Sequence, residues 1–353
     1  MKLDKRTIRN AALVAGGTAV VGGVAVGAGL ALAGAALWKR MRSADLNGQV
    51  VLITGGSRGL GLAMAHEFGA LGCKLAICAR DAGELAWAKS ELELAGYPCL
   101  TVVCDVGDEA QVERMARDVV EHYGQVDVLV NNAGVIMVGP LKNQTRADFK
   151  EAMDVMFWGT IHTTLAVLPH MFRRGYGRIV NITSMGGRMA VPHMLPYNCA
   201  KFAAVGFSEG LHAEVKKDGV IVTTVSPGLM RTGSYKNAIF KGKNELEYNW
   251  FALGATLPLI SIDAQRAARK IVSACRRGAA DLMITPQAWM TSAFHGAFPG
   301  VTAEMMALVN RLLPNEVDGR RERFRGHESE TALTRSFLTK MGRDAAERLH
   351  ETA

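Results

Sequence analysis

The sequence predicts an α/β domain built on a doubly wound parallel sheet of about seven strands, with an apolar helix before it and a helical extension after it. Three observations carry that expectation. Short runs rich in Val, Ile and Leu recur near 49–54, 74–79, 99–104, 126–131, 178–183, 220–225 and 281–285. Stretches with helical periodicity separate them, the alternation that sandwiches a parallel sheet between helices. The first run also leads directly into a glycine-rich turn that opens a helix, Thr54-Gly55-Gly56-Ser57-Arg58-Gly59-Leu60-Gly61. The expected organisation is therefore residues 1–43 as a membrane anchor with basic flanks, 44–285 as the sheet domain and 286–353 as the extension.

The first element is the apolar run Ala11–Trp38, 28 residues without a charge. At ~1.5 Å rise per residue it is long enough to cross ~30 Å of hydrocarbon. Trp38 and Lys39-Arg40 stand where an interfacial aromatic and headgroup-seeking cations belong. Small residues recur at every fourth position, Ala11, Ala15, Ala19, Gly23, Gly27, Ala31 and Ala35, a stripe that suits close helix packing in lipid. Seventeen of the 28 residues are Gly or Ala, so composition alone also produces such stripes, and interfacial or hairpin placement stays open. A cleaved signal peptide is the rival reading, but the run exceeds the ~7–15 residues of a usual signal core. The expectation is a single-pass membrane protein with its catalytic domain on the cytoplasmic side, where dinucleotide is supplied.

Charge supports lipid and excludes nucleic acid. The chain carries +8 overall, and residues 1–43 contribute +6 of it. The basicity thus flanks the apolar run instead of forming a groove for a phosphate backbone. The six cysteines are scattered without metal-ligand spacing, which excludes a zinc site and fits reduced, buried thiols.

The glycine turn is the second element. Glycines allow a tight strand-to-helix turn and close approach of backbone to a pyrophosphate, and the helix N-terminus offers free N–H groups and a positive dipole. Gly55, Ser57, Arg58, Gly59, Leu60 and Gly61 are accordingly candidate cofactor residues in a Rossmann-type domain. At the end of the second strand, where a carboxylate would hold an NAD ribose, the chain has Ala79 and then Arg80. A guanidinium fork suits the 2′-phosphate of NADP, with Arg58 as a second cation. Asp81 keeps NAD use possible.

Four further segments complete a pattern: Asn131-Asn132-Ala133-Gly134, Ser184, Tyr197-xxx-Lys201 and Pro227-Gly228. Together with the turn at 54–61 they resemble the short-chain dehydrogenase/reductase family over roughly 48–285, in order and spacing. The resemblance implies an enzyme of NADP(H)-dependent CH–OH/C=O chemistry. Tyr197 would be its proton donor and acceptor, Lys201 would tune the phenol and bind ribose, and Ser184 would hold the substrate oxygen. Tyr197 and Lys201 lie one helical turn apart, so they share a face. A phenol titrating near ~10 needs neighbouring positive charge to serve at neutral pH, and Lys201 together with the positive oxidised nicotinamide ring is expected to supply it. The resemblance further assigns Asp105 and Val106 to the adenine, Asn132, Ala133 and Gly134 to the cofactor path, and Pro227, Gly228 and Thr232 to the nicotinamide amide. For Thr232 a helix-capping role is the alternative.

One position departs from the family. Its usual asparagine in an Asn-x-x-Gly pattern is Met156 here, in Met156-Phe157-Trp158-Gly159. A thioether donates no hydrogen bond. The alternative function is therefore a catalytically weak NADP(H)-binding membrane sensor or scaffold.

The region 229–262 should cover the substrate. Ile239-Phe240, Tyr248 to Leu253 and Leu257-Pro258-Leu259-Ile260 suit a hydrophobic small molecule such as a lipid, steroid-like or long-chain carbonyl, or else pack as core. Lys236, Lys241 and Lys243 are candidates to face headgroups. In the extension, Trp289, Met290, Phe294 and Phe298 precede Val301, Met305, Leu308, Val309 and Leu312 at helical spacing. That stripe is expected to face a core or a homodimer partner, with membrane lipid as the other reading. The segment after Asn315 carries eight basic and eight acidic residues and is expected to face solvent.

Overall fold

The computed structural model describes residues 43–257, 260–336 and 339–351. The run Ala11–Trp38, and with it the expected membrane span, lies outside them. Among the described residues no helix is long and apolar enough to cross a membrane. Leu46–Ala353 forms one compact unit, separate from Met1–Asp45.

The chain alternates strand and helix from Val50 onward: β1 (Val50–Thr54), α1 (Gly59–Gly69), β2 (Lys74–Ala79), α2 (Ala82–Leu94), β3 (Cys99–Val103), α3 (Glu109–Tyr123) and β4 (Val128–Asn131). A two-residue strand β5 (Met137–Val138) and α4 (Arg146–Met153) lead through a π-helical turn, Asp154–Trp158, into α5 (Gly159–Arg174). Then come β6 (Gly177–Ile182), α6 (Leu195–Val215), β7 (Val220–Ser226), β8 (Leu229–Arg231), β9 (Ile239–Phe240), α7 (Asn244–Thr256), β10 (Ser261–Asp263), α8 (Ala264–Arg277) and β11 (Asp281–Met283). The extension adds α9 (Pro286–Ala297), α10 (Pro299–Asn310), β12 (Phe324–Arg325) and α11 (Lys340–Arg348).

Seven strands form the main sheet in the order β11-β7-β6-β4-β1-β2-β3, every pair parallel. Helices cover both faces, so the central strands are apolar throughout instead of alternating; all five residues of β1 are buried. Each predicted strand is present within a residue or two of its expected position. The strand order reverses between β1 and β4, and a ligand crevice opens beyond the carboxyl ends of strands at such a point.

Local chemistry sets the helix starts. Asp81, Asp108, Thr145 and Asp263 cap α2, α3, α4 and α8 by accepting a backbone N–H from the first turn. The helix α1 begins differently. Its N-cap is Arg58, whose side chain makes no capping bond, so the N–H groups facing the crevice are left for another acceptor.

After α10 the extension returns to the sheet. β12 pairs antiparallel with β9, and Ser329, Thr334, Thr339, Ala345, Ala346, Leu349 and Glu351 are buried. The segment after Asn315 is therefore folded onto the sheet domain, with most of its charged side chains facing solvent as expected and a row of small residues buried beneath them. Its equal numbers of acids and bases are partly used in ion pairs across the chain, among them Arg323–Glu151 at 2.5 Å and Lys142 with Glu316. The apolar stripe behaves in the opposite way. In α9 and α10 only Ala288 and Thr302 are buried, and Trp289, Met290 and Leu308 are more than half exposed. Among the described residues no core covers that face.

Candidate active site

A cleft of about 530 Å³ lies along the carboxyl edge of the sheet. Gly55, Ser57, Arg58 and Leu60 line one end, with Arg80, Asp105 and Val106 beside them. Asn132, Ala133 and Gly134 form the middle, and Ser184, Tyr197, Lys201, Pro227, Gly228 and Thr232 the other end. The fold thus gathers residues spread over nearly 180 positions into one continuous wall.

Two predicted residues, Gly59 and Gly61, are not part of that wall. Gly61 packs beneath the turn, where any side chain would collide with the Gly55 carbonyl. Gly55 itself has φ +62°, and a Cβ there would come 3.0 Å from Ala133 Cα. Glycine is needed at both positions for the turn to nest against β4. Asn132 staples the two together: its Nδ2 donates to the Thr54 and Gly55 carbonyls, each at 3.0 Å. Thr54 Oγ1 in turn accepts the Asn132 and Ala133 N–H groups.

At the catalytic end Ser184 follows β6 and accepts the Gly186 N–H at 3.0 Å. Tyr197 and Lys201 project from the first turns of α6. Gly186 permits the close approach of α6, since a Cβ there would lie 3.1 Å from Tyr197 Cε1. Lys201 is 5% exposed, and its Nζ donates to the Ile182 carbonyl at 2.8 Å and sits 5.8 Å from the centre of the Tyr197 ring. Burial pulls the ammonium down to about 8. Burial also pushes the Tyr197 phenol above its ordinary value, and the hydrogen bond with Ser184 opposes this only in part. With its ammonium held by a backbone carbonyl, Lys201 does not by itself offset the burial of the phenol. A positive charge brought into the cleft beside the ring has to supply the rest.

Met156 is 1% exposed and packs with Ala152, Ala200 and the Tyr197 ring. The π-helical turn at Asp154–Trp158 carries it inward, so a thioether closes the wall behind the tyrosine where a polar group was expected. Thr232 lies at the cleft and is not the helix cap that was its alternative, since the N-cap of the following 3-10 turn is Gly233. Its hydroxyl accepts the Ser234 N–H at 3.2 Å at the start of that turn.

The adenosine end holds carboxylates that sequence reasoning did not place there. Arg58 pairs with Glu84 at 2.6 Å and approaches Glu351 at 3.5 Å. Ser57 donates to the same Glu84 at 2.9 Å. Arg58 is thus already engaged, whereas Arg80 is exposed and forms no ion pair among the described residues. Arg325, His327 and Glu351 of the extension also line the cleft. They lie more than 80 residues beyond the last recognised motif, so no local signal marked them.

The cover over the substrate end is largely self-packed. Phe240, Tyr248 and Phe251 contact one another and are buried with Tyr235 and Met194. Lys241 is 1% exposed and paired with Asp148 at 2.6 Å, and Lys236 pairs with Glu330 at 3.6 Å, so neither faces a headgroup. Apolar groups facing the cleft include Val135, Ile136, Met156 and Met230.

An uncapped α1, a glycine turn at the switch point and a Ser-Tyr-Lys cluster at the far end define a dinucleotide-dependent oxidoreductase site. The chain belongs to the short-chain dehydrogenase family, whose model matches residues 49–241, more than half of its length. It is 35% identical over 258 residues to a dehydrogenase/reductase SDR family protein 7-like of Anopheles gambiae, covering 71% of this chain and 79% of that one. Over 216 residues it is 34% identical to 11-beta-hydroxysteroid dehydrogenase 1A of Arabidopsis thaliana, covering 61% of each. The crystal structure of a short-chain dehydrogenase from Streptomyces avermitilis superposes with a TM-score of 0.64 at 29% identity, covering 75% of this chain and 98% of that one. The family binds nicotinamide cofactors, and its solved members include both NAD+ and NADP complexes.

Proposed function

We propose that this protein is a membrane-associated, NADP(H)-preferring reductase or dehydrogenase of hydrophobic carbonyl/alcohol pairs. The observation that carries the reading is the meeting of Ser184, Tyr197 and Lys201 at one end of a cleft whose other end is the uncapped start of α1.

The residues fit a nicotinamide dinucleotide. The first N–H groups of α1 would take the pyrophosphate, Arg80 a 2′-phosphate, and Lys201 the ribose hydroxyls. Bound there, the dinucleotide would supply or accept hydride at the substrate carbon. The chain's own part is then proton handling and orientation. Ser184 and Tyr197 hydroxyls hold the substrate oxygen between them. Tyr197 gives its proton to that oxygen during reduction and takes it back during oxidation, and Lys201 stabilises the phenolate in between.

Ala79 followed by Arg80, which forms no ion pair among the described residues, supports NADP over NAD. The apolar residues Val135, Ile136, Met156 and Met230 support an apolar substrate. So does the likeness to a plant relative named as a hydroxysteroid dehydrogenase. The uncharged run Ala11–Trp38 and the exposed apolar face of α9 and α10 support membrane association. Met156 favours the second reading, a weak enzyme that senses dinucleotide.

The test is NADPH oxidation by detergent-purified protein, offered long-chain aldehydes, steroid ketones and, for contrast, open-chain sugars. Turnover of the apolar compounds alone is expected. Turnover confined to the sugars removes the substrate assignment, and no turnover with tight NADPH binding favours the sensor. Deletion of residues 1–43 should release the protein from carbonate-washed membranes. Retention there would contradict the anchor.

A further inference from the structure

The chain carries its own occupant of the phosphate end of the cleft. Beyond α11 the backbone crosses the glycine turn, and Gly59 N–H donates to the Leu349 carbonyl at 2.8 Å. The Glu351 carboxylate lies against Gly59, so close that a Cβ on that glycine would collide with it. The same carboxylate stands 3.5 Å from Arg58 Nε and accepts from Asn237 Nδ2 at 2.7 Å. Asn237 also donates to the Glu351 backbone carbonyl at 3.0 Å. His350, in the left-handed region at φ 55°, turns its ring onto Trp87. Leu349 and Glu351 are 2% and 5% exposed.

These contacts reproduce what a phosphate would use. A carbonyl oxygen takes the first N–H of α1, and a carboxyl group sits beside the positive end of the helix and next to a guanidinium. A diphosphate laid over the turn needs the same donors, and Gly59 has one N–H to give.

We infer that Leu349–Glu351 is a displaceable plug, an internal competitor that must leave the glycine turn before the dinucleotide's phosphates bind. The inference rests on reading the cleft as a nicotinamide dinucleotide site. The plug is held by donors of the chain, the Gly59 N–H, the Asn237 amide and the Arg58 guanidinium. Its carboxylate is buried beside a second one, Glu84, which together with burial raises Glu351 to about 7. The segment is also tied to the substrate side, because α11 packs on α7 and Gly342 sits against Thr256. Dinucleotide arrival would then be felt at the cover over the substrate.

A competitor docked in ~80–90% of molecules weakens apparent affinity ~5–10-fold. The experiment titrates the full chain, and a chain ending at Arg348, with NADPH by the fluorescence of the reduced ring, with thermal melting as a check on folding. The shortened chain is expected to bind ~5–10-fold more tightly. Hydrogen exchange of the full chain supplies a readout that needs no variant: residues 345–351 should exchange faster once NADPH is saturating. Equal or weaker binding by the shortened chain, or exchange that is unchanged or slowed by NADPH, would overturn the plug while leaving the dinucleotide site intact. Absence of binding in both chains would overturn the plug and the dinucleotide site together.

Discussion

Replacing Arg80 with alanine tests how the cleft would choose between NADP and NAD. Arg80 follows β2, lines the adenosine end and is exposed, with no ion pair among the described residues to compete for it. A hydrogen bond to a charged group contributes ~1.5–3 kcal/mol, and solvent screening at an exposed site brings this to the lower end. Since ~1.4 kcal/mol is a factor of ten, Arg80→Ala should weaken NADPH about 10-fold and NADH less than about twofold. The neighbouring cation cannot compensate, because Arg58 is paired with Glu84 at 2.6 Å. That pairing gives a converse test. Glu84→Gln frees Arg58 and should tighten NADPH several-fold over NADH. Both are read by fluorescence titration with each reduced dinucleotide at fixed ionic strength. Equal losses of NADPH and NADH in Arg80→Ala would refute the assignment of Arg80 to the 2′-phosphate.

Three more outcomes follow from the described geometry. Lys241→Met leaves the Asp148 carboxylate buried with Thr145 and a distant Arg323 at 3.8 Å, a loss of ~3–5 kcal/mol and of roughly 10 °C in melting temperature; the double variant with Asp148→Asn should lose less, and an equal loss would show that the pair is not coupled. Lys201 is lowered to about 8, so its proton is lost as pH rises through that value, and kcat/KM for carbonyl reduction should fall above about pH 8. The alkaline limb should vanish in Lys201→Arg; a limb left in place belongs to another group. Glu351 is raised to about 7, above its ordinary carboxylate value, so docking is strongest while it keeps its proton and weakens as pH rises through about 7. With Arg58, Asn237 and Glu84 the groups facing it, NADPH affinity of the full chain should improve from pH 6 to 8, and the chain ending at Arg348 should show no such change.

The sheet and the catalytic cluster were legible because both are local. Continuous apolar runs at strand length and helical stretches between them report a buried parallel sheet, and Tyr197 and Lys201 need only one helical turn to share a face. What escaped depends on distance along the chain. Glu351 reaches Gly59 across almost the whole domain, and β12 is two residues long, too short for periodicity to register. Lys241 looked like a surface cation because its partner, Asp148, lies 93 positions away. The aromatics of 240–251 have the composition of a ligand pocket and of a core alike, and packing among themselves decides the matter. Arg58 illustrates the limit for electrostatics: the sequence shows two cations near a phosphate site, and only the fold shows that one of them is already paired.

The most direct measurement is made on Tyr197→Phe, which removes one hydroxyl and leaves the cleft's phosphate end untouched. The account predicts NADPH binding within about twofold of the parent chain, with carbonyl reduction lowered ~100-fold or more in a stopped-flow measurement of NADPH oxidation. Reduction at the parent rate by this variant would contradict the assignment of Tyr197 as the proton donor.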